Sequence, residues 1–455
     1  MIGNFITRKC SKDMYSGMVS AILLSILLLV LPAGCNILEE EIPDETTVSP
    51  HGGPLVMAHY MPWYRGPSKK SEENNLSAYG GHWTRWGDKN PTQVVNGKAV
   101  IHARQYPLTG PYHSGNTALL EYQVSLMKIA GIDGVIFDWY GSYDAPGFDF
   151  WENHGYTTAM VSVLKKAGLK FLVCYEDNTL NMIAEKNGEV SAPVTGESLF
   201  IGNVSFEWAQ ASWFRTEEYV RFENRPVVLC FGPQHFKTKA DWDEVFSGVD
   251  PKPYFVDLEN KYAWADASFN WFNMPKSGEM TPALVNYNLN YFYNSVQIIK
   301  PCRIATVFSA FEDDYRPGEG YGVLLYDDGA VFDLTWKKIQ ETNFNPAIIQ
   351  IATWNDYGEG TIIEPTMERG YNELEYIQDR IKEWDPGFPF TKEDLRWPLE
   401  FYKLRYTQTA SNAQETAIKA ATNAIFTGNA PVFRARAAET GLSVSASELK
   451  PLLRN

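Results

Sequence analysis

An α/β chain folded as a (β/α)8 TIM barrel with a C-terminal helical extension is what this sequence predicts, and three features predict it. Eight apolar runs of strand length follow Gly53, most of them without the strict alternation of a half-wet sheet, and helical patterns separate most of them. Strands buried on both faces belong to parallel sheets, and this many repeats at this spacing favour a closed barrel over an open doubly wound sheet. The third feature is positional. The carboxyl ends of successive runs collect aromatic and polar residues: Trp63, Trp139, Glu176, Asp257, Trp271, Ser309, and finally Asp356 and Glu359. In a barrel all strand exits share one rim, so residues distant in sequence converge there.

Taken in order, residues 1–35 read as an address. Arg8, Lys9 and Lys12 precede an apolar run from about Met18 to Leu31, which closes on Pro32-Ala33-Gly34-Cys35. This resembles a bacterial lipoprotein signal with Cys35 as the lipidated first residue; the competing reading, an uncleaved anchor, needs a longer span. Residues 36–53 carry Glu39, Glu40, Glu41, Asp44 and Glu45 and read as a flexible acidic tether. The expected location is therefore the bacterial cell envelope, lipid-anchored, on the outer membrane and open to the cell surface.

The barrel is expected over residues 54–370. Its first strand is Leu55 to Tyr60, followed by a polar, glycine-rich excursion holding His82 and Trp83. Asn116 or Thr117 caps a helix with Leu120, Val124 and Met127 on one face, and Gly131 stops it. Strand runs follow at 134–140, 169–175, 226–231, 254–257, 267–271, 303–308 and 347–353, with helices at about 156–167, 207–222, 239–246, 280–300 and 333–342. Residues 371–455 read as the helical extension, with helices at 372–384, 397–405 and 410–425 and a polar remainder.

Composition excludes several classes of function. The formal charge is −15, and removing the first 34 residues, which carry Arg8, Lys9, Lys12 and Asp13, takes it to −17. Such a surface repels nucleic acid and anionic polymers. Aromatic residues at 14% suit either a large core or a carbohydrate cleft. Cys174, Cys230 and Cys302 lie in apolar or strand-like runs and read as buried thiols. No cysteine pair has zinc-ligand spacing, and no phosphate-binding or dinucleotide glycine motif occurs, so no cofactor and no metal are expected. Glu312-Asp313-Asp314 lacks the spacing of a calcium loop and reads as a solvated turn.

The chemistry is expected where the run Ile348-Ile349-Gln350-Ile351 stops. Trp354-Asn355-Asp356-Tyr357-Gly358-Glu359-Gly360 then delivers two carboxylates three positions apart among glycines and aromatics. The glycines argue for a loop, which can turn both acids into one cleft. Carboxylates that move protons at a glycosidic oxygen, beside aromatic faces for the ring, are what a sugar site needs. The bland alternative for each residue is a solvated turn for the acids, barrel filling for Trp139 and Tyr140, and a helix cap for Glu176.

A resemblance joins these pieces. Tyr60-Met61-Pro62-Trp63-Tyr64, then His82-Trp83, then Tyr106 to Ser114, Trp139-Tyr140-Gly141, Glu176, and Asn355 to Thr361 look, in that order, like glycoside hydrolase family 99 and its relative family 71. The resemblance implies a metal-independent barrel enzyme that cleaves α-linked neutral glycans of mannan or glucan type. It further implies Asp356 as the base toward the sugar 2-hydroxyl and Glu359 as the general acid, with Tyr60, Trp63, Tyr64, His82, Trp83, Trp139, Tyr140, Glu176 and Asn355 around the sugar. Family 99 carries Glu, Trp and His where this chain has Asp356, Tyr357 and Gly358; the acid loop is closer to family 71, whose members invert on α-1,3-glucan. Retention and inversion both stay open. The expected partner is an oligo- or polysaccharide met by a monomer, with the membrane touched only through the lipid; a carbohydrate-binding lipoprotein without turnover is the alternative.

Overall fold

The computed structural model describes residues 48–188, 193–271, 273–296 and 300–444. Cys35, the signal segment and the first part of the expected tether lie outside them.

Eight parallel strands form the barrel wall: β1 (Leu55–Tyr60), β2 (Gly134–Trp139), β3 (Lys170–Tyr175), β4 (Arg225–Cys230), β5 (Tyr254–Leu258), β6 (Ala267–Phe269), β7 (Ile304–Val307) and β8 (Ile348–Ile351). They pair in the spatial order β7-β8-β1-β2-β3-β4-β5-β6. Register brings Leu55 opposite Ile348 and Met57 opposite Gly134. Gly134 lets β2 and β3 approach, since a Cβ there would lie 2.1 Å from the Lys170 carbonyl oxygen. The ladder stops between β6 and β7, so the barrel is nearly closed. Across that seam the hydroxyl of Thr306 donates to the Asn270 carbonyl at 2.8 Å.

Strand alternation decides which side chains reach the lumen. On β2, Phe137 meets Tyr60 and Phe171, and Trp139 meets His154, Phe206 and Trp213, all on the helix side. Asp138, between them, therefore faces the axis. His59, Thr306 and Gln350 also face inward and are linked, His59 Nδ1 lying 3.5 Å from Gln350 Oε1 and Gln350 Nε2 3.4 Å from Thr306 Oγ1.

The helix layer comprises α1 (Thr117–Ala130), α2 (Phe150–Ala167), α3 (Asn178–Lys186), α4 (Gly196–Ser212), α5 (Lys239–Val245), α6 (Pro282–Tyr291) and α7 (Ala330–Glu341). The first behaves as read: Asn116 Oδ1 accepts from the Leu119 N–H, and Gly131 ends the helix at φ +83. The helix expected at 207–222 is shifted. Thr195 and Ser198 form a reciprocal cap that starts α4 early. Glu223 and Asn224, both with positive φ, then make a two-residue turn that folds Arg221–Phe222 back on Arg225–Pro226 as a hairpin. The helix expected at 280–300 gives way to π geometry at Phe292–Val296.

The C-terminal region adds α8 (Asn372–Trp384), α9 (Trp397–Thr407), α10 (Asn412–Phe426) and α11 (Ala430–Glu439). The last of these corrects the expected polar remainder: Asn429 caps it, Pro431 sits in its first turn, and Phe433 is buried. Arg405 of α9 reaches both Glu121 of α1 and Glu415 of α10, fastening the extension to the barrel's first helix. Residues 48–53 are also held down, because the Ser49 hydroxyl donates to Asp133 at 3.1 Å at the amino end of β2. Cys174, Cys230 and Cys302 are buried and form no disulfide with one another, as expected. No described helix is long and apolar enough to cross a membrane.

Candidate active site

The segment after β8 is tied down before it presents its acids. The Thr353 hydroxyl accepts from the Asp356 N–H at 2.8 Å and meets the Thr361 hydroxyl at 3.0 Å. Asn355 is fully buried: its Oδ1 accepts from the Met61 N–H at 2.8 Å and its Nδ2 donates to the Met61 carbonyl and to Tyr112 Oη. It staples the exit of β8 to the exit of β1. Tyr64 Oη donates to the Asn355 carbonyl and accepts from the Tyr357 N–H. Glu364 accepts from Tyr112, Tyr357 and Gln123. Gly360 closes the turn at φ +71, where a Cβ would strike the Glu312 carbonyl at 2.7 Å.

On this base Asp356 and Glu359 stand with two further carboxylates, Asp138 and Glu176. Asp356 Oδ1 accepts from the Glu359 N–H at 3.0 Å, and Glu359 Oε1 accepts from Tyr315 Oη at 3.2 Å. Gln234 Nε2 donates to Glu176 at 3.0 Å. Burial lifts all four pKa values, and like charge adds to it for Asp138, Glu176 and Glu359. Asp138 is pushed up to about 8 by burial and then by Asp356. Glu359 is driven well above the carboxylate range by burial, then by Asp356, against a smaller pull from Tyr315. Glu176 rises for the same reasons, with Asp138 and Asp177 beside it. Asp356 is lifted only to about 6, because backbone N–H groups and the nearby His82 ring offset its burial.

The aromatic wall beside the acids is made by Trp63, His82 and Tyr140. His82 stacks on Trp63 at 4.5 Å and 9°, and its Nε2 lies 3.3 Å from Asp149. Tyr140 feels the charges of Asp138, Glu176 and Asp356 on its hydroxyl. Of the residues expected around the sugar, Trp63, His82, Tyr140 and Glu176 thus gather with Asp356 and Glu359. The others do not. Trp139 faces the helices; Tyr60 also turns outward and donates to Gln123 of α1 at 2.7 Å. Trp83 is buried behind the wall with its Nε1 on the Tyr112 carbonyl, and Tyr64 and Asn355 are buried supports of the loop. Strand parity for Trp139 and Tyr60, and loop anchoring for Tyr64 and Asn355, decide what these side chains meet.

Three contributors were missed. Asp138 had a signal, an acid at the penultimate position of an otherwise apolar strand. Tyr315 and Gln234 lie in loops after β7 and β4 with nothing local to mark them. Glu312-Asp313-Asp314 is neither a metal loop nor a solvated turn. Asp314 pairs with Lys89 at 2.7 Å, Asp313 accepts from the Tyr321 N–H, and Glu312 from Gln105. Among the described residues no group of His, Cys, Asp and Glu forms a metal shell.

No protein-family model and no curated protein matches the chain. Solved structures do. A family 99 endo-α-mannosidase from Bacteroides thetaiotaomicron superposes with a TM-score of 0.52 at 16% identity, over 72% of this chain and 98% of that one. The same type of enzyme bound to bis-tris-propane gives 0.51 at 17% identity, over 72% and 95%. The chain shares the (β/α)8 barrel fold of these structures.

Proposed function

We propose that the chain is a glycoside hydrolase acting on α-linked neutral glycans of mannan or glucan type, with Glu359 as general acid and Asp356 as base. What supports this is the electrostatic split of the pair. The Glu359 N–H donates to the Asp356 carboxylate, whose pKa is lifted to about 6, while burial and then the Asp356 charge drive the Glu359 carboxyl well above the ordinary carboxylate range. One proton acceptor beside one proton donor is the division of labour that glycosidic cleavage requires. Asp356 takes the proton of the sugar 2-hydroxyl as its oxygen attacks C1. The bond from C1 to the leaving oxygen breaks, and Glu359 hands its proton to that oxygen. Water then opens the 1,2-anhydro ring as Glu359 takes a proton from it and Asp356 returns its own. The excess of negative charge favours neutral over anionic glycans.

The test is release of reducing ends from neutral α-mannans and α-glucans. Glu359→Gln is expected to lower turnover by roughly 10²–10⁴-fold, and less for a substrate whose leaving group needs no proton, whereas Asp356→Asn should slow both. Full activity in both variants would remove the assignment. Tight glycan binding by the native protein without any cleavage would instead favour the binding-lipoprotein reading. We further propose that Cys35 carries the lipid; Cys35→Ala should move the protein from the membrane to the soluble fraction, and unchanged partitioning would point to an uncleaved anchor.

A further inference from the structure

Where the ladder fails between β6 and β7, the wall of the barrel gives onto a cavity of about 210 Å³. Asn270, Trp271, Asn273, Asn288 and Tyr291 supply its polar and aromatic lining, apolar side chains of α6 its floor, and Glu259 is the charged group among its described residues. The Asn270 carbonyl is occupied by Thr306 across the seam, but its side-chain oxygen is buried and has no hydrogen-bond partner. A buried acceptor left unpaired is costly, and a donor from a ligand would relieve it.

The lining narrows the ligand. Among its described residues no cation is present to hold a phosphate or carboxylate, and three amides with an orphan acceptor do not suit a hydrocarbon. Amide hydrogen bonds beside aromatic faces suit a sugar ring. Helix α6 continues that chemistry outward. Its run Asn286-Tyr287-Asn288-Leu289-Asn290-Tyr291 is uncharged, and Tyr287 and Tyr291, four apart on one face, are 66% and 60% exposed. A chain of side-chain contacts leads from the cavity toward the acid cluster. The Trp271 ring meets His59 in the lumen at 5.0 Å and Phe231 at 5.3 Å. Gln234 then bonds both the Phe231 carbonyl and Glu176.

We propose that this seam cavity is a distal subsite holding one unit of a neutral glycan chain whose scissile bond lies at Asp356 and Glu359, so that the substrate is a polymer and not a short glycoside. The proposal rests on the hydrolase reading above. It is tested by calorimetric binding of neutral α-linked manno- and gluco-oligosaccharides of graded length, using Glu359→Gln wherever the native protein cleaves them. Tyr291→Ala and Asn288→Ala should each weaken binding about tenfold, or about 1.4 kcal/mol, for chains long enough to reach the seam, and leave shorter chains unchanged. Tyr291→Phe should restore affinity, because it keeps the ring.

Affinity lost equally at every length, or at none, overturns the subsite. If the native protein cleaves glycans while Tyr291→Ala matches it at every length, the subsite falls and the hydrolase reading stands. If binding shows the Tyr291-dependent length threshold but nothing is cleaved, the hydrolase reading falls and the subsite stands. Binding of no oligosaccharide at all overturns both.

Discussion

Strand β2 carries a buried aspartate at each end, and the two are treated in opposite ways. Asp133, just before the strand, accepts from the Val56 N–H at 2.9 Å and from the Ser49 hydroxyl at 3.1 Å, with His51 Nε2 3.9 Å away. The carboxyl of Asp138, near its end, receives no donor from the described residues and faces three other acids. One ties β1, β2 and the incoming chain together at the barrel's foot. The other is held charged or protonated at the expense of stability. The contrast recurs one residue apart after β3: Asp177 takes three backbone N–H groups from Gln234, His235 and Phe236, while Glu176 turns to the acid cluster. A buried carboxyl with its acceptors filled is architecture; one left among like charges is a candidate for chemistry.

The largest expected effect separates the two ends by stability. Asp133→Ala strands the Val56 N–H and should cost about 1–3 kcal/mol, seen as a lower denaturation midpoint. Asp138→Asn should do the reverse. Both aspartates have raised folded-state pKa values, so the native protein binds more protons than the unfolded chain, and stability falls as pH rises from about 3.9. That fall ends near pH 6 for Asp133 and near pH 8 for Asp138. The gain from Asp138→Asn should therefore grow between pH 5 and 8. A gain that is flat with pH would show that Asp138 is not a strained acid.

The smaller effect sharpens the cluster itself. Activity should rise as Asp356 ionises near pH 6 and fall when Glu359 loses its proton. Tyr315 lowers the Glu359 pKa by donating to the carboxylate, and Asp138 raises it by charge. Tyr315→Phe should thus move the alkaline limb of the pH profile up, and Asp138→Asn should move it down. Shifts in the same direction would mean that Glu359 does not set that limb.

The sequence by itself determined the barrel and the glycine-rich exit on which Asp356 and Glu359 stand, because buried strands announce themselves by continuous apolar runs and glycines announce a loop. It also placed the cap of α1 and its glycine stop. Only the tertiary structure decided the cast around the acids. Trp139 and Asp138 are neighbours in sequence, yet strand parity sends one to the helices and the other to the lumen. Tyr64 and Asn355 carry the right groups but spend them anchoring the loop. Tyr315 and Gln234 come from two other strand exits and meet the acids there. Those meetings depend on register, tilt and the unpaired seam between β6 and β7, which are properties of the whole closed sheet and leave no mark on any single stretch of chain.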